Sequence, residues 1–198
     1  MLFGDSQGSM YARDLAFLSR ADDFSLNILS AAGRNERPGE SDSLWPEVKQ
    51  FLAMRRPRVV ILSYAWSLKL GNDPRQLREA VAYMEHLGSR VILIVQPPIL
   101  PPDATRAAMR AGIRPPFFEE PSDRANRLRA SALVRSFAGN RIMVLDPAPI
   151  FLQPGQEIRL IARNGRLTYQ DADHLSDSGT ALVRPMLNSA LVRALRTH

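Results

Sequence analysis

The chain opens Met1-Leu-Phe-Gly4-Asp5-Ser6-Gln7-Gly8-Ser9, a short apolar strand running directly into a Gly-Asp-Ser turn and a helical pattern. Such a strand–turn–helix sets Ser6 at the carboxyl end of a strand and the start of a helix. Backbone N–H groups and the positive end of the helix dipole favour negative charge there. A serine hydroxyl is a weak nucleophile without a base. A candidate base lies at the far end of the chain, in Asp171-Ala-Asp173-His174-Leu-Ser176. The stretch between them reads as the scaffold that joins the two ends.

That scaffold alternates strands and helices. Helical spacing runs from Met10 to Arg20, and Phe24-Ser-Leu-Asn-Ile-Leu29 alternates as a second strand. Ala31-Ala-Gly33 ends it in a turn, and the polar residues 34–43 read as a loop. Ser43 is a candidate cap for a helix to Met54, with Pro46 and Glu47 suited to its first turn. Arg58-Val-Val-Ile-Leu-Ser63, Arg90-Val-Ile-Leu-Ile-Val95 and Arg141-Ile-Met-Val-Leu-Asp146 are apolar runs of the kind buried on both faces of a parallel sheet. Helices are expected over Pro74–Leu87, over 122–138 and after Ser176, the last broken or kinked at Pro185. The proline-bearing region 97–121 reads as an excursion with a short helix near Thr105–Ala111, and 147–170 as a loop or small hairpin. Together these make an α/β fold: an open parallel sheet of about five strands with helices on both faces. Ligands bind such sheets beyond the carboxyl ends of the strands, the edge on which Ser6, Gly33, Ser63–Trp66, Gln96 and Asp146 fall.

Composition narrows the chemistry. The 198 residues suit one domain over 1–198, with 45% hydrophobic and 23% charged residues. There is no cysteine, which excludes thiol catalysis, disulfides and cysteine-based metal sites. No apolar run reaches the length of a membrane span, and no signal peptide precedes the Gly-Asp-Ser turn. The net charge of +6 is carried mostly by arginine, Lys49 and Lys69 being the only lysines. The arginines are scattered and no aromatic-interleaved basic strip accompanies them, so no nucleic-acid partner is expected. A phosphate-binding loop is disfavoured as well, since Gly4-Asp-Ser-Gln-Gly8 is poor in glycine and lacks lysine.

In this chemistry Ser6 is the nucleophile and His174 the general base. Asp171, three residues before the histidine, orients it; Asp173 competes for that role, although its adjacent position favours a side chain pointing away. The backbone N–H groups of Ser6 and Gly33 are the natural oxyanion donors. Taken singly, Gly-Asp-Ser is a common turn and Asp-x-x-His a common cap; their placement at opposite ends of the alternation makes the pair informative.

At these residues the sequence resembles the SGNH (GDSL-like) serine hydrolases. Gly4-Asp5-Ser6 matches the first family block, Asp171-x-x-His174 the last, and Gly33 falls at the oxyanion glycine of the second. The resemblance implies a flavodoxin-like three-layer α/β/α sandwich, a Ser6–His174–Asp171 triad, an oxyanion hole of Ser6 and Gly33, and no metal or other cofactor. The third block departs from the Gly-x-Asn-Asp pattern: the strand end reads Leu62-Ser-Tyr-Ala-Trp-Ser67, and Asn72 lies several residues on. One lost oxyanion donor costs about 3 kcal/mol of transition-state stabilisation. The Trp-bearing strand end, Gln96-Pro-Pro-Ile-Leu-Pro-Pro102, Asp146-Pro147 and Gly165-Arg-Leu-Thr-Tyr169 are most similar to SGNH domains fused to membrane acyltransferase-family-3 proteins. By that resemblance the chain is a domain cut from a longer membrane acyltransferase, on the periplasmic or extracytoplasmic face. It would transfer an acyl group, usually acetyl, between an ester and a glycan hydroxyl, or hydrolyse it. Trp66 and Tyr64 are the expected sugar-stacking residues, a buried core position being the alternative for Trp66. A catalytically impaired glycan-binding or scaffolding domain is the other reading.

Overall fold

The computed structural model describes residues 1–30, 37–39, 43–71, 73–104 and 116–196. Strands β1 (Leu2–Gly4), β2 (Ile28–Ser30), β3 (Val59–Ser63), β4 (Arg90–Ile94) and β5 (Ile142–Leu145) form one sheet in the order β2-β1-β3-β4-β5. Every pairing is parallel. The chain steps from β1 outward to β2 and then returns to lay β3 on the other side of β1, so the strand order reverses between β1 and β3. The carboxyl ends of those two strands are the topological switch point, where such sheets open a crevice. Ser6 follows one of them.

Alternation along the strands builds a core on each face of the sheet. Leu2, Ile61 and Ile92 pack with Leu15 and Leu18 of α2 (Ala12–Ala21) and with Val183, Leu187 and Leu191 of α8 (Asp177–Arg196). Phe3, Val60, Leu62, Val91 and Leu93 face the other way. They meet Val48 and Leu52 of α3 (Trp45–Arg55), Leu77, Val81 and Met84 of α5 (Arg75–His86) and Val134 of α6 (Pro121–Arg135). Each such side chain removed from water contributes about 1.5–3 kcal/mol. Three four-residue helices complete the set: α1 (Ser6–Ser9), α4 (Trp66–Lys69) and α7 (Ala148–Phe151).

Three expectations change. The second strand is shorter than Phe24–Leu29, because its ladder partner β1 offers only Leu2–Gly4 and the register pairs those with Ile28–Ser30. Helix α8 runs unbroken through Pro185. Buried residues on both sides of the proline, Val183 and Leu187, hold the two halves to the sheet, and Ser189 Oγ donates to the Pro185 carbonyl at 2.9 Å. Region 147–170 contains α7, a 3-10 turn at Pro154–Gln156 and single antiparallel bridges at Leu152–Ile158 and Ile161–Leu167. The helix expected at Thr105–Ala111 lies outside the described residues. Among the described residues no helix is long and apolar enough to cross a membrane.

Gly4 and Gly8 allow α1 to sit against the end of β3. A Cβ at Gly4 would lie 2.1 Å from the Ser63 carbonyl oxygen, and one at Gly8 3.1 Å from the same atom. Neither neighbour is a flexible side-chain tip; the Ser63 carbonyl is backbone at the end of a fully buried strand. Gly4→Ala is therefore expected to destabilise the fold by about 3 kcal/mol or more, at the upper end of overpacking costs. Urea unfolding checks this, and an unchanged midpoint would mean that β1 and β3 can separate at little cost.

Candidate active site

The turn after β1 is held by Asp5. This residue is buried, and as the cap of α1 its Oδ1 accepts the Gln7 N–H at 2.8 Å. Its Oδ2 accepts the Ala65 N–H at 3.0 Å, tying the turn after β1 to the turn after β3. Burial pushes the Asp5 carboxyl above its ordinary value, opposed by those two N–H groups and by the charges of Lys69 and His174. Ser6 is thereby fixed as the first residue of α1, half-buried at the switch point.

The histidine loop carries its own framework. Asp171 Oδ1 accepts the backbone N–H of His174 at 2.8 Å and of Asp173 at 3.2 Å, folding 171–174 into a tight turn. The same turn brings His174 Nδ1 to 2.9 and 3.0 Å from the two Asp171 carboxylate oxygens. Asp173 does not point away: its Oδ1 is 3.0 Å from the same nitrogen. One ring N–H thus faces two carboxylates, and both favour imidazolium. Asp173 contributes most and Asp171 adds to it, so that against the opposing effect of burial the His174 pKa rises to about 9. The Asp173 carboxyl is correspondingly lowered by its bond to His174.

The pH consequence follows in sign. A general base works when neutral, so with His174 in that role kcat/KM for ester turnover is expected to climb as pH rises through about 9, rather than through the ordinary 6.5. Replacing both Asp171 and Asp173 by Asn should bring the inflection down toward the ordinary value. A wild-type inflection near 6.5 would contradict the two-carboxylate arrangement. In the native state the raised pKa also adds stability that is full below 6.5 and is lost as pH climbs through about 9.

The two halves meet through Gln7, whose Nε2 donates to the Asp173 carbonyl at 2.6 Å. The Ser6 hydroxyl and His174 Nε2 share this edge of the sheet but are not hydrogen-bonded; Nε2 is enclosed and makes no hydrogen bond among the described residues. Catalytic hydrogen bonds are commonly open in the unliganded state and close with substrate. Gly33, expected as an oxyanion donor, lies outside the described residues, as does Asn72. Asp5 takes the Gln7 N–H, which leaves the Ser6 N–H as the donor at the start of α1.

Tyr64 and Trp66 do not form a sugar platform. Both are fully buried. Tyr64 packs edge-on to Phe3 at 5.6 Å and against Trp66 at 5.1 Å, and Trp66 Nε1 donates to the Ile94 carbonyl at 2.7 Å. A ring without an exposed face cannot stack on a sugar; the aromatic pair is core beneath the site.

Sequence reasoning missed the supports of the histidine loop. After β4, Gln96 Oε1 accepts both Ser67 N–H and Ser67 Oγ–H, at 3.2 and 2.8 Å. Leu100 N–H donates to the Ala172 carbonyl at 2.7 Å, and the Tyr169 hydroxyl to the Pro98 carbonyl at 2.8 Å. The proline-rich stretch is thus a strap under the loop. Its prolines were the visible signal, but not their partners. Asp171, Asp173 and His174 also set one donor atom each within 4.8 Å of one another, a grouping their mutual pairing already accounts for.

The family model described as "SGNH domain (fused to AT3 domains)" matches residues 1–189. No curated protein matches the sequence. Among solved structures, the periplasmic domain of a lipopolysaccharide acetyltransferase from Salmonella ser. Paratyphi A superposes with a TM-score of 0.69 at 14% identity, covering 96% of this chain and 83% of that one. A putative G-D-S-L family lipolytic protein from Desulfitobacterium hafniense gives 0.60 at 14% identity, covering 95% and 96%. A putative acylhydrolase from Bacteroides fragilis gives 0.57 at 14% identity, covering 98% and 86%. At these identities the likeness is one of fold.

Proposed function

Because the chain belongs to the family of SGNH domains fused to AT3 domains, we propose that it carries an acyl group, most simply acetyl, on Ser6 and exchanges it with a glycan hydroxyl. Family membership makes it an SGNH-type serine esterase or acyltransferase, and acyl transfer or ester hydrolysis follows at that level. The glycan, the triad roles and the acetyl group are the finer reading. The observation that supports it best is the His174 ring, held at Nδ1 by carboxylates on a loop bonded to the nucleophile helix.

In the first half-reaction His174 Nε2 takes the Ser6 proton as Oγ attacks the donor carbonyl. The Ser6 N–H, and Gly33 by resemblance, stabilise the tetrahedral oxyanion. Collapse breaks the bond to the donor alkoxide, which leaves with the proton from His174. In the second half a sugar hydroxyl or water gives its proton to His174 and attacks the acyl-serine, restoring Ser6. Asp171 and Asp173 hold the ring and offset its charge in both halves.

Residues 1–198 act as one catalytic domain in this reading, placed with its acyltransferase partner on the extracytoplasmic face of a membrane. That placement draws on the AT3 fusion and on the Salmonella relative, described as a periplasmic domain. The competing reading, a binding domain with impaired catalysis, is favoured by the third block. There the Ala65 N–H is committed to Asp5 and no Asn follows the strand at Ser63–Ser67. Hydrolysis of p-nitrophenyl acetate distinguishes the two: turnover above background, unchanged by EDTA, with acetyl appearing on an added oligosaccharide, is expected of the enzyme. Turnover abolished by EDTA and restored by Zn²⁺ would refute the metal-free serine mechanism.

A further inference from the structure

Gln7, directly after the nucleophile, is fully buried and is held at three places. Its N–H donates to Asp5 Oδ1 at 2.8 Å, its carbonyl accepts the Ser63 hydroxyl at 3.3 Å, and its side-chain Nε2 donates to the Asp173 carbonyl at 2.6 Å. The orientation of the amide is set by that last partner, since a carbonyl can only accept. Its Oε1, by contrast, is buried without a hydrogen-bond partner among the described residues. Leaving a buried acceptor unmatched is unfavourable. A methionine would fill similar space without that cost, so the fold alone gives little reason for an amide here. What the amide uniquely does is hold the residue adjacent to His174 against the helix that begins with Ser6.

We propose that Gln7 is a positioning residue: its side-chain amide clamps the 171–174 turn to the nucleophile helix and so sets where His174 stands relative to Ser6. The consequence for catalysis rests on the serine reading above; the clamp itself does not. The ring lies between Asp171 and Asp173 of its own turn, and Asp5 faces it from the β1–α1 turn. Besides the Gln7 amide, this turn is held by Leu100 N–H on Ala172 O, and the Leu175 N–H meets Met10 Sδ at 3.4 Å. Neither of those contacts is at Asp173. Without the amide, Asp173 is released from α1 and its carboxylate loses its fixed place at the ring nitrogen, while Asp171 still closes the turn.

The test compares wild type, Gln7→Met and Gln7→Leu, both of which fill the space without a hydrogen-bond donor or a new charge. Two readouts are taken: NMR titration of the His174 ring, resolved from His86 and His198, and steady-state hydrolysis of p-nitrophenyl acetate. Both variants are expected to lower the ring pKa from about 9 toward 6.5. They should reduce kcat by about 10- to 100-fold with KM within about twofold, as small misplacements of a catalytic group do. Melting temperature should stay within a few degrees. A ring pKa that does not move overturns the clamp, including the case where kcat falls only in proportion to the folded fraction. Ser6→Ala, run alongside, separates the two claims. If it hydrolyses as fast as wild type the acyl-serine reading falls, while the shift in ring titration still decides the clamp.

Discussion

Ser6→Ala is expected to reduce ester turnover by about 1,000-fold or more, to the level that binding and any remaining oxyanion donor provide. The size follows from the division of labour at the switch point. In the proposed acyl-serine mechanism the hydroxyl forms the covalent intermediate, and its neighbours Asp5 and Gln7 are committed to structural hydrogen bonds. His174→Ala should cost a comparable factor, and the double variant little more than either, because nucleophile and base act as a unit. Folding should be unaffected by Ser6→Ala, since its side chain is only half-buried. A loss of turnover smaller than tenfold would mean that another group carries the chemistry.

The largest effect on stability is expected at Glu119 and Arg127. Their side chains are almost wholly removed from solvent, and Arg127 donates to both carboxylate oxygens, Nε to Oε1 at 2.7 Å and Nη2 to Oε2 at 2.5 Å. Glu119 Oε1 also accepts the Ile99 N–H at 2.9 Å, which fixes the proline strap whose next residue, Leu100, supports Ala172. Glu119→Gln would leave the guanidinium buried and uncompensated, at a cost of about 3–5 kcal/mol. For a domain of ordinary stability, about 5–15 kcal/mol, that approaches unfolding. Replacing both residues by methionine should recover much of the loss, because an apolar pair carries no unpaired charge. Urea melts of the single and double variants check this; a Glu119→Gln midpoint equal to wild type would show that water reaches the pair.

The parts legible in the sequence are those whose cause is local. The apolar runs at Val59–Ser63 and Arg90–Ile94 announce strands buried on both faces, because no alternation is needed where both sides are core. Gly-Asp-Ser after a strand and Asp-x-x-His near the end are likewise readable, since each turn is closed by its own residues. What was not legible depends on partners distant in sequence. Trp66 follows a strand end as a site wall would, yet it is buried through its bond to Ile94 and its packing on Tyr64. The position of Asp173 next to His174 favours a side chain pointing away, but the 171–174 segment is a turn, in which adjacent side chains can converge on one nitrogen. Gln7 gave no signal, and the proline strap showed its prolines but not their partners, because the bonds reach Asp173 and Ala172 at the other end of the chain.

The most direct test is mass spectrometry of the protein quenched during turnover of p-nitrophenyl acetate, followed by peptide mapping. The acyl-serine mechanism predicts an added acetyl mass confined to the peptide containing Ser6, absent in Ser6→Ala and discharged when acceptor or time is supplied. Turnover with no acetyl on Ser6, or the same label in Ser6→Ala, would contradict it.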